Sequence, residues 1–273
     1  VDWNSPAQLL EQIIRHEAVH QIDGWDDLRR RLQPDRRCFA FFHPQLPAEP
    51  LIFVEVALLP AMPEAIAPLI DKASEPLPRG QFKVAAFYSI SNCQPGLKGV
   101  SLGNFLIKRV AEELKRELPQ LKTFCTLSPI PGFARWVKAG ARCEGLPKAR
   151  AQRVLQAHAA VLDACGGDLD KLAQTATLRA LPEPAAQALL RLAAYYLGWH
   201  ATAADGDPVA RFHLDNGARL ERLDPLGDLS EKGRRQSWGM MVNYLYDLDR
   251  IEAHHEKFVR GEVAQSRLLT SLL

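Results

Sequence analysis

Hydrophobic and polar positions along this chain follow two periods, and the places where the period changes mark its elements. Near the N-terminus Leu9, Leu10, Ile13 and Ile14 recur at helical spacing, and a second helix is predicted over 25–32, after a break at Gly24. Two β-branched and aromatic runs follow, RCFAFFHP (37–44) and LIFVEVALLP (51–60). The proline-rich segment between them predicts adjacent antiparallel strands. After a short helix expected around 63–72, FKVAAFYSIS (82–91) carries the strongest strand signal, and its nearly unbroken apolar character predicts burial on both faces. From Ser101 the period becomes that of a helix: Leu102, Leu106, Val110 and Leu114 form one stripe, Glu112 is spaced to pair with Arg116, and Pro119 ends the run. LKTFCTLS (121–128) reads as another buried strand. Strand, glycine loop, helix and strand then compose a βαβ unit, with a right-handed crossover expected.

Residues 147–198 change character. Their alanine- and leucine-rich text predicts an insertion of two or three helices. Beyond it, RFHLDNGARLERL (211–223) reads as a short strand holding His213, with a turn at Asn216-Gly217. MMVNYLYDLDRIEAHHEKF (240–258) reads as a helical tail.

Composition narrows the function classes. The 273 residues are 47% apolar, enough to bury the core of one large domain or two small ones. A net charge of +2, with both signs interspersed, leaves no basic stripe for nucleic acid. Five cysteines without a CxxC pair fit reduced thiols in a cytoplasmic protein better than a disulfide frame or a zinc site. No apolar run reaches the ~18 residues of a membrane span, and VDWNSPAQLLEQ is not a signal sequence, so a soluble protein with no membrane partner is expected. The start at Val1 rather than Met suits a fragment or a processed product. The final Ser271-Leu272-Leu273 is not the SKL address.

Four stretches are candidates for chemistry. His16-Glu17-Ala18-Val19-His20 matches HExxH, which holds zinc when two imidazoles sit one helical turn apart. Here the text runs into Gln21-Ile22-Asp23-Gly24, a helix end, so a surface helix is the reading and no metal is expected. The loop QPGLKGVSLGNFLIKRV (94–110) sets Gly96, Gly99 and Gly103 between a buried strand and an amphipathic helix. That arrangement suits a phosphate at backbone N–H groups, or equally a tight turn with Ser101 as N-cap. Neither GxGxxG nor GxxxxGK[ST] is present, because Lys98 precedes Gly99. Ser128, followed by Pro129, has the form of a helix N-cap with proline at N1. It also follows the carboxyl end of a strand, as the glycine loop does, where ligands of open α/β sheets bind. His213, among apolar neighbours, needs a partner. These residues alone define no triad, since neither an acidic third member nor a GxSxG elbow can be identified.

Taken in order, FYSIS (87–91), GVSLGNFLIKRV (99–110), LSPIPGF (127–133), FHLDNGA (212–218) and GMMVNYLY (239–246) resemble the malonyl-CoA decarboxylase family, with a weaker match through RRCFAFFHP and EPLIFVEVAL. The resemblance spans most of the chain except the helical segment 147–198. It implies an α/β (α+β) fold of the GNAT acetyltransferase type, a mixed central sheet with flanking helices, in one catalytic domain over 1–273. It also implies conversion of malonyl-CoA to acetyl-CoA and CO2, within fatty acid metabolism, with no metal or organic cofactor. By the matching motifs the catalytic serine and histidine fall on Ser128 and His213, and an associated tyrosine on Tyr246. The CoA pyrophosphate falls on the loop Lys98, Gly99, Val100, Ser101, Leu102, Gly103 and Asn104. Members usually carry an N-terminal helical domain, absent from these residues, and assemble as homo-oligomers, typically tetramers. Animal members have an acidic residue where this chain has Ser101.

Loss of CO2 from a malonyl thioester leaves an enolate, which needs a donor at the thioester oxygen and a proton for carbon. Ser128 is expected to engage the carboxylate or the adjacent carbonyl. His213, with a pKa near working pH, is expected to be the acid. Tyr246 would orient His213 or the acyl group, or serve as a core residue. Two other readings fit the same text: an acyl-CoA N-acyltransferase, which needs an amine acceptor, and a non-catalytic acyl-CoA sensor, which binds without turnover.

Overall fold

The computed structural model describes residues 1–97, 103–143, 145–203 and 205–273. They divide into two compact units, Val1–Leu127 and Ser128–Leu273.

The first unit opens with helices α1 (Ala7–His16) and α2 (Gly24–Arg31), continues through strands β1 (Arg36–His43) and β2 (Leu46–Leu59), a single turn α3 (Ala67–Ile70) and β3 (Val84–Asn92), and closes with α4 (Gly103–Glu117) and β4 (Thr123–Thr126). Its sheet runs β1-β2-β3-β4. The first two pairings are antiparallel, and β3 pairs in parallel with β4, with Phe87 opposite Thr126. The sheet is therefore mixed, and α4 is the crossover that a parallel pair requires. On α4, Leu106, Val110 and Leu114 are buried as their spacing predicts. Arg116 pairs with Glu113, one turn back at i,i+3, rather than with Glu112.

α1 stops at His16, where the chain turns extended at Glu17 (ψ 110°). The buried Glu17 carboxylate accepts the N–H groups of Val19 and His20 and the hydroxyls of Ser89 and Ser91 on β3. The two histidines of the HExxH stretch consequently do not share a helix face. Deeper in this unit, Arg31 is fully buried and donates to Asp27 and to Glu55. Burial pushes the Glu55 carboxyl up to about 8 even beside that guanidinium.

The second unit begins on the two-residue strand β5 (Ser128–Pro129), then α5 (Phe133–Lys138). The segment predicted as helical holds α6 (Lys148–Ala164), a 3-10 turn at Leu169–Ala173, α7 (Thr175–Arg179) and α8 (Glu183–Gly198). After it come α9 (Pro208–Asp215), β6 (Arg219–Asp224), α10 (Glu231–Ser237), β7 (Met241–Leu245), α11 (Ile251–Val259) and α12 (Arg267–Thr270). β7 pairs antiparallel with β5 on one side and β6 on the other.

Two sequence expectations are corrected here. His213 lies on a helix, α9, not on a strand. Asp207 caps the first turn by accepting from Val209 and Ala210, Pro208 occupies N1, and the far end closes with Ala218 N–H on His213 O and Gly217 N–H on Leu214 O. Gly217 takes φ +76°, and a Cβ there would fall 2.2 Å from the Ile251 carbonyl oxygen. The run from Met241 to Leu245 is a strand, not the start of a helical tail; only from Ile251 does the helix begin. A short apolar run fits a strand buried on both faces as well as it fits a helix.

Candidate active site

Ser128 does not cap a helix. The chain stays extended through Ser128 and Pro129, which lie opposite Val242 and Met241, and the next helix starts only at Phe133, behind Gly132. The serine is thus held on a sheet edge, 4% exposed, with φ of the following residue locked by the proline ring. Its Oγ lies 3.1 Å from His213 Nε2, although the two residues are 85 positions apart. On the other side of the ring, His213 Nδ1 is 2.8 Å from Tyr246 Oη, just beyond the end of β7. Tyr244 stacks on the imidazole at 4.8 Å between centroids and 27° between planes, and Phe212 meets it edge-on at 5.1 Å. The three residues placed by their motifs at the site, Ser128, His213 and Tyr246, form one buried hydrogen-bonded run.

Burial controls its electrostatics. With only 5% of its surface exposed, His213 is pushed down to about 3 by desolvation of the charged form. The same cause holds Tyr246 well above the ordinary phenol range. The expectation of a histidine titrating near working pH is therefore corrected: in the folded chain the ring is neutral and the phenol protonated. A neutral imidazole donates at one nitrogen and accepts at the other, so the run has two senses. Tyr246 donating to Nδ1 goes with Nε2–H donating to Ser128 Oγ; in the reverse sense Ser128 donates to Nε2 and Nδ1–H to Tyr246 Oη.

Two groups at this site were not singled out from sequence. Tyr244, on β7, lies two residues before Tyr246, a strand-like spacing that reading the segment as helix hides. Asp207, buried, spans from α9 to the backbone N–H of Gly132. Its position before Pro208 is the usual signature of a helix N-terminus, and recognising it would have placed His213 on a helix. Of the candidate CoA loop, Gly103 opens α4 and Asn104 follows it. Lys98, Gly99, Val100, Ser101 and Leu102 lie outside the described residues. Among the described residues no group of three or more His, Cys, Asp or Glu side chains is gathered to hold a metal ion, and no helix is long and apolar enough to cross a membrane.

Comparison with known proteins places these features in a family. Malonyl-CoA decarboxylase of Anser anser anser, named as mitochondrial, is 40% identical over 267 residues, covering 91% of this chain and 52% of that protein. The Mus musculus protein of the same name is 38% identical over 269 residues, covering 91% and 53%. Among solved structures, malonyl-CoA decarboxylase from Agrobacterium vitis is 49% identical with a TM-score of 0.85, covering 100% of this chain and 65% of that one. The protein from Rhodopseudomonas palustris is 48% identical with a TM-score of 0.82, covering 99% and 64%. The chain spans about half the length of the curated relatives it matches and just under two thirds of these solved chains. The family model for the malonyl-CoA decarboxylase C-terminal domain matches residues 1–273, and the chain belongs to that family.

Proposed function

We propose that this chain decarboxylates malonyl-CoA to acetyl-CoA and CO2, with Ser128, His213 and Tyr246 carrying the chemistry. The observation behind this reading is the buried run from Tyr246 through His213 to Ser128, in a chain that matches the family's C-terminal domain from end to end. In the reaction the bond between the carboxylate carbon and the α-carbon breaks, CO2 departs, and the electron pair moves into the thioester as an enolate. A proton then closes the α-carbon. Because the thioester is itself the electron sink, the step as written uses no cofactor beyond the CoA of the substrate.

With Tyr246 donating to Nδ1, the imidazole donates from Nε2 to Ser128, and the serine hydroxyl keeps its own proton, which it donates to the substrate carboxylate or the growing oxyanion once substrate is bound. A donor fixed by β5–β7 pairing and Pro129 needs little rearrangement as charge moves. The negative charge of substrate and enolate beside the ring favours imidazolium: a proton taken up from solvent makes both ring nitrogens donors, Tyr246 Oη then accepts from Nδ1–H, and this proton is the one delivered through His213 to the α-carbon. The CoA pyrophosphate is assigned to residues 98–104. Support comes from the glycine-rich sequence there and from α4, 15 residues long, whose N-terminal dipole favours phosphate. Five free cysteines fit a reducing compartment such as the cytoplasm.

Incubation with malonyl-CoA and no amine acceptor tests the reading. Equimolar CO2 and acetyl-CoA are expected, and Ser128→Ala should lower kcat by about 10²- to 10³-fold while CoA binding persists. Tight malonyl-CoA binding without CO2 release would refute it in favour of a sensor.

A further inference from the structure

One carboxylate is bonded to both segments that carry the catalytic pair. Asp207 is 1% exposed. Its Oδ1 accepts the N–H groups of Val209 (3.0 Å) and Ala210 (3.1 Å), the first turn of the helix that bears His213. Its Oδ2 accepts the N–H of Gly132 at 3.0 Å and, more weakly, the Tyr196 hydroxyl at 3.4 Å. Gly132 lies 75 positions away and only four past Ser128, in the turn that leaves β5. Capping a helix requires one oxygen. The second is spent on the serine's segment.

The residue at 132 is built for this approach. A Cβ there would stand 2.1 Å from Tyr196 Oη and 3.4 Å from Asp207 Oδ2, so glycine alone lets the backbone N–H come within reach. The far end of α9 is closed on the carbonyl of His213 itself, by Ala218 N–H. The histidine is thereby fixed from both helix ends, and Asp207 sets the first of them relative to the serine strand. Desolvation pushes the Asp207 carboxyl up, opposed by the N–H donors of Gly132, Ala210 and Val209. A buried carboxylate is retained only with such donors.

We propose that Asp207 is a positioning residue that sets the Ser128–His213 hydrogen bond by clamping the β5–α5 turn to the N-terminus of α9. Its kinetic consequence rests on the decarboxylase reading; its structural consequence does not. A hydrogen bond of 3.1 Å is lost with a displacement of about 0.5 Å or more, and misplacement of this order costs turnover rather than substrate affinity.

Asp207→Ser keeps a short capping oxygen for Val209 and Ala210 but cannot reach Gly132. Asp207→Asn keeps the shape, spends its one oxygen on the helix and turns an NH2 toward the Gly132 N–H; it stands in should the serine variant fail to fold. Both should lower kcat for malonyl-CoA by about 10- to 100-fold with KM changed less than about twofold. In parallel, ¹⁵N-histidine NMR at pH 7 should show the His213 Nε2 resonance shifted, with or without turnover. Tyr196→Phe, which removes only the 3.4 Å contact, should behave as wild type. Variants with wild-type kcat and unmoved His213 resonances would overturn the clamp, leaving Asp207 a helix cap. A shifted resonance in a wild-type background that releases no CO2 would instead sink the decarboxylase reading and leave the clamp standing.

Discussion

Removing one oxygen atom tests the catalytic run most directly. Tyr246→Phe preserves the ring, which is 3% exposed, and deletes the hydroxyl that sits 2.8 Å from His213 Nδ1. Nothing in so buried a place allows bulk water to replace it, so one ring nitrogen is left without this partner. The cost of such an orphaned group is about 1–3 kcal/mol. It falls on the tautomer that points Nε2–H at Ser128, the one the proposed reaction uses. At 1.36 kcal/mol per decade this corresponds to roughly 5- to 150-fold in kcat. KM should change little, because the phenol acts on the imidazole rather than on CoA. Release of ¹⁴CO2 from carboxyl-labelled malonyl-CoA gives both constants. Because both residues work through His213, adding Ser128→Ala to Tyr246→Phe should cost far less than the product of the single effects. Wild-type kcat in Tyr246→Phe, or multiplicative losses in the double variant, would refute a run of hydrogen bonds acting as a unit.

Three further outcomes are expected. His213, at about 3 in the folded chain against 6.5 unfolded, binds its proton only on unfolding across that interval, so stability falls as pH drops below about 6.5; between pH 7 and 5 the loss due to this residue is about 2 kcal/mol. Urea titrations should show that part of the pH dependence missing in His213→Gln, and an unchanged dependence would contradict the buried neutral ring. Gly132→Ala should cost about 1–3 kcal/mol through its contact with Tyr196 Oη, and adding Tyr196→Phe should recover about half; no recovery rules that contact out as the cause. Arg31→Ala removes the guanidinium that Asp27 and Glu55 share in the core and should cost about 3–5 kcal/mol, read as a lowered urea midpoint, whereas a loss below about 1 kcal/mol would show that the two carboxyls do not depend on it.

How far the sequence carried differs from element to element for physical reasons. β1, β2 and β3 were legible because β-branched and aromatic runs of this length have no adequate helical alternative, but β2 starts earlier than predicted, at Leu46, and takes in Pro47 and Pro50 of the segment assigned between the strands. The α4 stripe was legible because one polar face and one apolar face repeat every 3.6 residues. β7 was misread: burial on both faces erases the alternation that distinguishes a half-buried strand, and only pairing with β5 and β6 settles it. α9 was misread because eight residues give too few turns for a clear period, while its cap, Asp207-Pro208, was overlooked. Ser128 was legible as a residue at a strand end but wrong as an N-cap, since local propensity cannot know that β7 offers the backbone a partner.

Composition, periodicity and the order of short motifs determined the element types over most of the first unit, the helical character of the segment after it, and which serine, histidine and tyrosine were candidates for the site. Tertiary structure alone decided that Ser128, Asp207, His213 and Tyr246 are buried together and that the histidine is neutral. Local sequence governs backbone torsions within a few residues, whereas a 3.1 Å contact across 85 positions and the desolvation of an imidazole depend on which surfaces the whole unit buries.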